Sequence, residues 1–247
     1  MGQRRYGRTH MTQVRYSATT HLGLKRKVNE DSILALPDQQ IWVVADGMGG
    51  HAGGDFASQA VVDSVAMIDP TLPPVGLLNA LRDTLARSHE LILSEAASRG
   101  GVTMGSTVVT FAIAEGHFAT FWAGDSRLYR LQNGVLDMLT TDHSVVADFV
   151  LAGQMTWDEA EHHPQSNAIT HAVGVGDKLE LEKIRGQVFS GDRFLLCSDG
   201  LTKYATFDIL TRYLSQEPIE TIAERLQQLA LDGGGADNIS IIVIDII

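Results

Sequence analysis

The alternation of apolar and polar residues divides the chain into strand-like and helix-like segments. Short apolar runs bounded by turn residues are typical of buried strands, and apolar residues three or four positions apart are typical of helices. The sequence predicts strands at residues 14–20, 41–46, 107–114, 117–123, 127–131, 181–189, 193–197 and 239–247. It predicts helices at residues 55–68, 75–98, 206–214 and 218–231, with Asp55 as the cap of the first and Pro218 in the first turn of the last.

The order of these segments predicts the fold class. Strands follow one another through turn-length links such as Glu115-Gly116 and Asn133-Gly134, and helices come in pairs. This order favours antiparallel sheets with helices on their outer faces over alternating strand–helix–strand units. Two segments interrupt the order. Residues 22–32 are expected to form a charged loop, and the histidine-rich residues 140–176 one or two short helices in a mobile flap.

Composition narrows the possible classes of function. Thirty acidic against nineteen basic residues give a net charge of −11, which disfavours nucleic acids and anionic membranes as partners. The single cysteine, Cys197, excludes an internal disulfide and a cysteine-based zinc site, and it fits a cytoplasmic protein. No apolar run approaches the roughly 20 residues of a membrane span. We expect residues 1–12 to be a flexible basic tail and residues 13–247 to form a single domain.

An aspartate close to glycine recurs where predicted strands end or begin. Asp46, Asp125 and Asp199 each adjoin a glycine, and Asp237 comes shortly after three glycines. If these strand ends converge, the carboxylates repel one another unless they share cations. Oxygen ligands favour Mg²⁺ or Mn²⁺, and two such ions about 3.5–4 Å apart can activate water and clamp a phosphoryl group, with Arg26 as phosphate anchor. The alternative is that each Asp-Gly pair is an ordinary turn and that Arg26 is solvated.

Seven short motifs occur in order from about residue 13 to the end of the chain. They are Gly23-x-x-Arg26-x-x-Asn29-Glu30-Asp31, Val44-Ala45-Asp46-Gly47-Met48-Gly49-Gly50-His51, Gly105-Ser106-Thr107, Gly124-Asp125-Ser126-Arg127, Thr141-Asp142-His143-Ser144, Ser198-Asp199-Gly200-Leu201 and Asp237-Asn238-Ile239-Ser240. The ordered set resembles the metal-dependent protein phosphatases, the type 2C serine/threonine phosphatases, in their compact bacterial form. No single motif is decisive, whereas the set is very specific.

This resemblance implies an α+β fold: a four-layer α-β-β-α sandwich with two antiparallel sheets face to face, helices on both outer faces, and a flap at about residues 144–172. It also implies two core ions, Mn²⁺ or Mg²⁺, and a weaker third ion. Asp46 would bridge the two core ions, and the Gly47 carbonyl would bind the first. The other implied ligands are Asp199 and Asp237 for the second ion, Glu30 or Asp31 through water, and Asp125 with Asp199 for the third ion.

The implied reaction is one-step hydrolysis of phosphoserine and phosphothreonine on proteins. A hydroxide that bridges the ions would attack phosphorus directly, while Arg26 binds the phosphate. The implied partners are phosphoprotein substrates and a serine/threonine kinase that the enzyme opposes, and a monomer is favoured. Met48 stands where animal-type enzymes have a histidine, so His51 is the nearest candidate for the general acid and a metal-bound water is the other. The sequence departs from the family again at His21, Ser166 and His171, where an aspartate and two flap arginines are usual.

Other readings of the sequence stay open. Cys197 with His143 could suggest a thiol nucleophile, but Cys197 ends an apolar run and is expected to be buried and inert. The chain has no G-x-S-x-G elbow and no P-loop. A pseudophosphatase that only binds phosphoproteins, and a phosphatase acting mainly on small esters, remain as alternatives within the same fold.

Overall fold

The structure, a computed structural model, describes residues 12–49 and 53–247. Within these residues the strands are β1 (Val14–His21), β2 (Asp31–Leu36), β3 (Ile41–Met48), β4 (Gly105–Ser106), β5 (Val108–Ala114), β6 (His117–Ala123), β7 (Arg127–Gln132), β8 (Val135–Met138), β9 (Glu182–Gln187), β10 (Arg193–Cys197) and β11 (Ile239–Ile246). The helices are α1 (Gly54–Ala66), α2 (Pro74–Ser98), α3 (Ala147–Leu151), α4 (Trp157–Ala160), α5 (Asp199–Thr202), α6 (Phe207–Gln216) and α7 (Ile219–Asp232).

The strands form two antiparallel sheets that pack face to face. One sheet has the order β1-β11-β10-β7-β8, and the other has the order β2-β3-β5-β6-β9 with β4 beside β3. Aromatic side chains fill the space between them: Trp42, Phe111 and Phe194 are fully buried, and the ring centroids of Phe111 and Phe194 lie 4.5 Å apart. This layer is the central core of the molecule.

Helices cover the outer face of each sheet. Val61 of α1 and Leu81 of α2 pack with Val43 of β3 in one outer core, while α6 and α7 cover β10 and β11 in the other. Residues 41–45 of β3 are all apolar because Trp42 faces the other sheet and Val43 faces the helices. The four-layer α-β-β-α arrangement expected from the sequence is therefore confirmed.

Three local predictions were wrong. Helix α1 begins at Gly54 rather than at an Asp55 cap, and Asp55 lies in its first turn, where its carboxylate accepts a hydrogen bond from the Phe56 amide. The charged loop ends before residue 31, since Asp31 begins β2 and pairs with β3. Pro218 is the N-cap of α7, one position before the helix starts. Pairing with a buried neighbouring strand outweighs the polar local sequence at the start of β2.

The flap has two halves, one around α3 and one around α4, and they differ in exposure. An antiparallel bridge between Ser144 and Ile169 closes its base, and α3 and α4 lie within it. Beneath α4, the guanidinium of Arg127 lies 2.8 Å from the Glu161 carboxylate and over the ring of Trp157. The part of the flap around α4 is therefore tied to the sheet by a buried ion pair.

Some expectations fall on residues outside the described ranges. His51 and residues 1–11 are among them, so the expected flexible tail and the position of the candidate general acid are not described. Thr12, the last residue of that expected tail, accepts a hydrogen bond through its carbonyl from the Gln40 side chain. Across residues 12–49 and 53–247, no helix combines the length and the apolar character needed to cross a bilayer.

Candidate active site

Strand pairing brings the first group of acids together. Asp31 lies directly opposite Asp46 in the antiparallel β2–β3 pair. The Gly47 amide donates to the Glu30 carbonyl at 3.0 Å, so the pairing extends to the residue before the start of β2. Three of the predicted site acids, Glu30, Asp31 and Asp46, therefore occupy one end of one sheet.

The other sheet supplies Asp199 and Asp237 at the same end. Asp199 directly follows Ser198 after β10, and Asp237 precedes β11, which runs antiparallel beside β10. The Ser198 hydroxyl donates to the Asp31 carboxylate at 2.8 Å, so a hydrogen bond joins the two sheets at this edge. The predicted convergence of strand ends thus arises from the stacking of two sheets, each of which contributes carboxylates.

A cavity of about 260 Å³ opens between these strand ends. Its lining includes the side chains of Arg26, Glu30, Asp46, Asp125, Asp199 and Asp237, together with Gly47. Asp31 is buried behind this lining and is only 6% exposed. The structure therefore brings together all the predicted site residues that it describes, with Asp31 placed one layer deeper than the others.

Gly47 sits where no larger residue fits. A Cβ atom there would lie 2.0 Å from the Gly54 carbonyl oxygen and 2.5 Å from the Glu30 carbonyl oxygen. A Cβ atom on Gly54 would in turn lie 2.6 Å from the Glu30 carboxylate. The glycines of this turn therefore allow the start of α1, the end of β3 and the Glu30 side chain to pack directly against one another.

Thr107 fixes the backbone of Asp46 from the neighbouring strand. Its hydroxyl accepts a hydrogen bond from the Asp46 amide at 3.0 Å, and its own amide donates to the Asp46 carbonyl at 2.8 Å. The same hydroxyl lies 2.7 Å from that of Ser126, the residue after Asp125. In the sequence, Thr107 belongs to the Gly105-Ser106-Thr107 motif and begins a predicted strand, and neither pattern indicates this role.

Asn238 holds the loop that carries Arg26. Its side-chain amide donates to the carbonyls of Leu22, at 2.9 Å, and Val28, at 3.0 Å, and its side-chain oxygen accepts from the Glu30 amide at 2.8 Å. Both ends of the loop are thus attached to one buried side chain. The Asp237-Asn238 motif was the only signal of this in the sequence.

Two basic side chains already contact the acids. The Arg26 guanidinium donates to Asp237 at 2.8 Å, and the Lys203 ammonium lies 2.6 Å from Asp199 and 3.2 Å from Asp237. Burial tends to raise the pKa of Asp237, but the hydrogen bond from Arg26 and the charge of Lys203 outweigh it and lower the pKa. Sequence reasoning missed Lys203, because a lysine four positions after an aspartate is common on helices.

Asp31, Asp46 and Asp125 share an environment that is strongly unfavourable for charge. Burial raises the pKa of Asp31 to about 7. The neighbouring carboxylates of Asp199 and Asp237 raise it further, whereas hydrogen bonds from serine side chains lower it. Burial, followed by carboxylate neighbours, also raises the pKa of Asp46 and of Asp125 well above the usual range. These groups therefore hold a proton more readily than free carboxyl groups do, unless positive charge compensates them.

The donor atoms fit hard divalent cations. One carboxylate oxygen of Asp31 and one of Asp199 are buried without a hydrogen-bond partner, and the ligand set offers only oxygen. Within the described ranges, no three Asp, Glu, His or Cys side chains are arranged closely enough to hold a metal ion as they stand. Asp199 and Asp237 instead meet through the Lys203 ammonium. We regard the residues as fitting, because orphaned buried carboxylate oxygens require a positively charged partner.

The other candidates from the sequence have structural roles. Cys197 is fully buried, and burial raises the pKa of its thiol, which favours the inert interpretation. The His143 ring packs on Trp122, and its Nδ1 accepts a hydrogen bond from the Gly124 amide. His21, at one of the departures from the family pattern, accepts a hydrogen bond from the Gly23 amide and so closes the turn after β1.

Comparisons with known proteins agree with this geometry. The family model for protein phosphatase 2C matches residues 21–234. The serine/threonine protein phosphatase PstP of Mycobacterium tuberculosis is 35% identical over 235 residues, which cover 95% of this chain and 45% of that protein. The chain thus spans about half the length of that relative.

Solved structures share the fold over nearly the whole chain. PppA, described as a key regulatory component of T6SS in Pseudomonas aeruginosa, is 42% identical with a TM-score of 0.88, and the match covers 95% of this chain and 98% of that one. The catalytic domain of PstP in complex with two manganese ions is 34% identical with a TM-score of 0.86, over 95% and 98% of the two chains. The motifs, the fold and these matches lead to one conclusion: the chain belongs to the protein phosphatase 2C family.

Proposed function

We propose that this protein is a metal-dependent phosphatase that hydrolyses phosphoserine and phosphothreonine on proteins. The observation that carries the proposal is the single cavity lined by five carboxylates together with Arg26. Relatives over most of the chain are named serine/threonine protein phosphatases, which supports the same substrate class. By extension, the physiological substrates are phosphoproteins produced by a serine/threonine kinase, and the single buried cysteine supports a cytoplasmic location.

The proposed ligands are those that the family resemblance assigns. Asp46 and the Gly47 carbonyl would hold the first ion, Asp46 with Asp199 and Asp237 the second, and Glu30 or Asp31 would contribute through water. Asp125, with Asp199, would hold a weaker third ion. Mn²⁺ and Mg²⁺ both suit an all-oxygen ligand set. Bound cations would supply positive charge and lower the pKa of water, so that hydroxide is available near neutral pH.

Arg26 is proposed to bind the phosphate. Its side chain is 49% exposed at the edge of the cavity, and its planar guanidinium can donate two parallel hydrogen bonds to phosphate oxygens. The same guanidinium stabilises the charge that develops on those oxygens as the ester bond breaks. In this structure Arg26 donates a hydrogen bond to Asp237, so phosphate would meet a guanidinium that already has one anionic partner.

The leaving serine or threonine oxygen also needs a proton. Among the described residues that line the cavity there is no histidine, the side chain that most often serves as general acid. We therefore retain His51, which lies outside the described ranges, as the proposed acid, with a water molecule as the alternative.

Turnover with and without metal tests the proposal. We expect hydrolysis of p-nitrophenyl phosphate and of a phosphothreonine peptide with Mn²⁺, and its loss with a chelator. Asp199→Ala should lower kcat by about 10²-fold or more, because it removes a ligand of the proposed ions. Asp38→Ala is the matched control, since Asp38 is exposed in the turn at the opposite end of the β2–β3 pair. Chelator-insensitive turnover would refute metal dependence.

The competing function is a phosphoprotein-binding module without catalysis. It predicts no turnover in the wild-type protein under any metal condition, together with retained binding of phosphopeptides. Comparison of kcat/KM on the phosphothreonine peptide and on p-nitrophenyl phosphate separates a protein phosphatase from an enzyme for small esters.

A further inference from the structure

Lys203 lies between two acids that come from different parts of the chain. Its ammonium is 2.6 Å from Asp199, four positions earlier, and 3.2 Å from Asp237, which is 34 positions later. In both cases the contacted atom is Oδ2, so one positive charge faces one oxygen of each carboxylate. The side chain is only 18% exposed, and solvent screens this contact weakly.

An ordinary helix pair does not account for this arrangement. A lysine four positions after an aspartate needs no third group, and such pairs are usually exposed. Here the lysine also reaches the segment before β11, and Asp199 keeps its other oxygen buried without a partner. Lys203 therefore offsets part of the negative charge of both acids at once.

We propose that Lys203 is a built-in counter-ion of the Asp199–Asp237 pair and that it sets the concentration of divalent cation that this pair requires. The proposal depends on the proposed function only in taking Asp199 and Asp237 as metal ligands. A cation that binds these carboxylates meets a positive charge already attached to the same two oxygens. Since lysine is protonated at neutral pH, binding must displace or tolerate the ammonium.

The opposite side of the cavity has no such competitor. Among the described residues, no lysine or arginine lies within ion-pair distance of Glu30, Asp46 or Asp125. Asp199 and Asp237 therefore contact the positive charge of Lys203 and, at Asp237, also that of Arg26, whereas the Asp46 side contacts none among the described residues. We therefore expect two classes of affinity for divalent cations, with tight binding on the Asp46 side and weaker binding at Asp199 and Asp237.

Calorimetric titration of Mn²⁺ into the chelator-treated full chain tests this. Lys203→Gln removes the charge, and we expect the dissociation constant of the weaker class to fall by at least about tenfold. Lys203→Met, which keeps the length of the aliphatic stem, should have the same effect if the glutamine variant folds poorly. Lys203→Arg keeps the charge and should stay within about threefold of the wild-type value.

Lys183→Gln serves as the matched control, because Lys183 is exposed on β9 and forms no ion pair among the described residues. The proposal would be overturned if the glutamine and methionine variants bound Mn²⁺ in the weaker class with an affinity within about twofold of the wild-type value, or with a lower affinity. Equal tightening in Lys183→Gln would also overturn it, since the effect would then be one of net charge. Failure of the proposed function appears elsewhere, as absence of turnover in the wild-type protein at saturating Mn²⁺.

Discussion

At the scale of single residues, the site depends on side chains that hold backbone rather than on acids alone. The side-chain amide of Asn238 makes all of its hydrogen bonds to the loop between β1 and β2. Thr107 binds both the amide and the carbonyl of Asp46. Neither side chain needs to touch a substrate to affect the reaction. Their role is to fix where Arg26 and Asp46 stand.

Asn238→Ala should therefore weaken phosphate binding more than chemistry. Two loop carbonyls and the Glu30 amide lose their partners, so we expect KM for p-nitrophenyl phosphate to rise more than kcat falls. The free energy of unfolding should fall by about 1–3 kcal/mol, measured by urea denaturation. Asn79→Ala, at an exposed position of α2, is the control. An unchanged KM would show that the loop is held by other contacts.

Residue identity also explains what the sequence predicted of the site and what it missed. Asp46, Asp125 and Asp199 were predictable, because an aspartate beside glycine at a strand end is visible in a short window, whereas Glu30 and Asp31 were indicated only by the resemblance to the phosphatase family. The contact of Lys203 with Asp237 and the bonds of Asn238 to Leu22 and Val28 join distant positions, and no local pattern records them. Sequence patterns thus indicate which groups do chemistry better than which groups hold them.

At the scale of elements, local turn chemistry was the most reliable signal. Glu115 and Gly116 have φ values of 51° and 74°, and Asn133 and Gly134 have 52° and 80°, as two-residue hairpin turns require. Strand β2 was missed because its first residues are polar and its burial comes from pairing with β3. The four-residue helix α5 was missed because one turn is too short for a periodic pattern.

The flap gives a prediction at this scale. Its α4 half is anchored by Glu161 on buried Arg127 and by Asp158, which accepts a hydrogen bond from the Phe207 amide, whereas Phe149 and Leu151 of α3 are exposed. Hydrogen exchange should therefore be faster in α3 than in α4. Glu161→Ala should speed exchange in α4 and lower the free energy of unfolding by about 1–3 kcal/mol, because Arg127 loses one buried partner but keeps its ion pair with Asp142.

Glu224→Ala, at an exposed position of α7, should leave both helices of the flap unchanged. Equal protection of α3 and α4 from hydrogen exchange in the wild-type protein would contradict the view that only the α3 half of the flap is free to move.

At the scale of the whole molecule, the buried acids destabilise the native state at neutral pH. Because the pKa of Asp31 is raised to about 7, the native state holds a proton that the unfolded chain releases near pH 4. Native stability is then favoured at low pH and declines as pH rises from about 4 to 7, by on the order of 4 kcal/mol for this group. Cations that bind only the native state should reverse the decline.

Thermal unfolding with Mn²⁺ and with a chelator measures this effect. We expect Mn²⁺ to raise Tm, and the increase to be larger at pH 7.5 than at pH 5.5, since protons compete for the same carboxylates. NaCl at the same ionic strength should not reproduce it. Asp237→Asn should reduce the increase. A Tm increase independent of pH would show that the buried acids are already ionised without metal.

The hydrogen bond from Ser198 to Asp31 spans 167 positions of sequence. Half of the centre is therefore supplied early in the chain and half late, and neither sheet alone contains it. The site can form only after β11 has taken its place between β1 and β10. A fragment lacking the final strand would therefore keep Glu30, Asp31 and Asp46 at one end of the β2–β3 pair, but it could not form the complete centre.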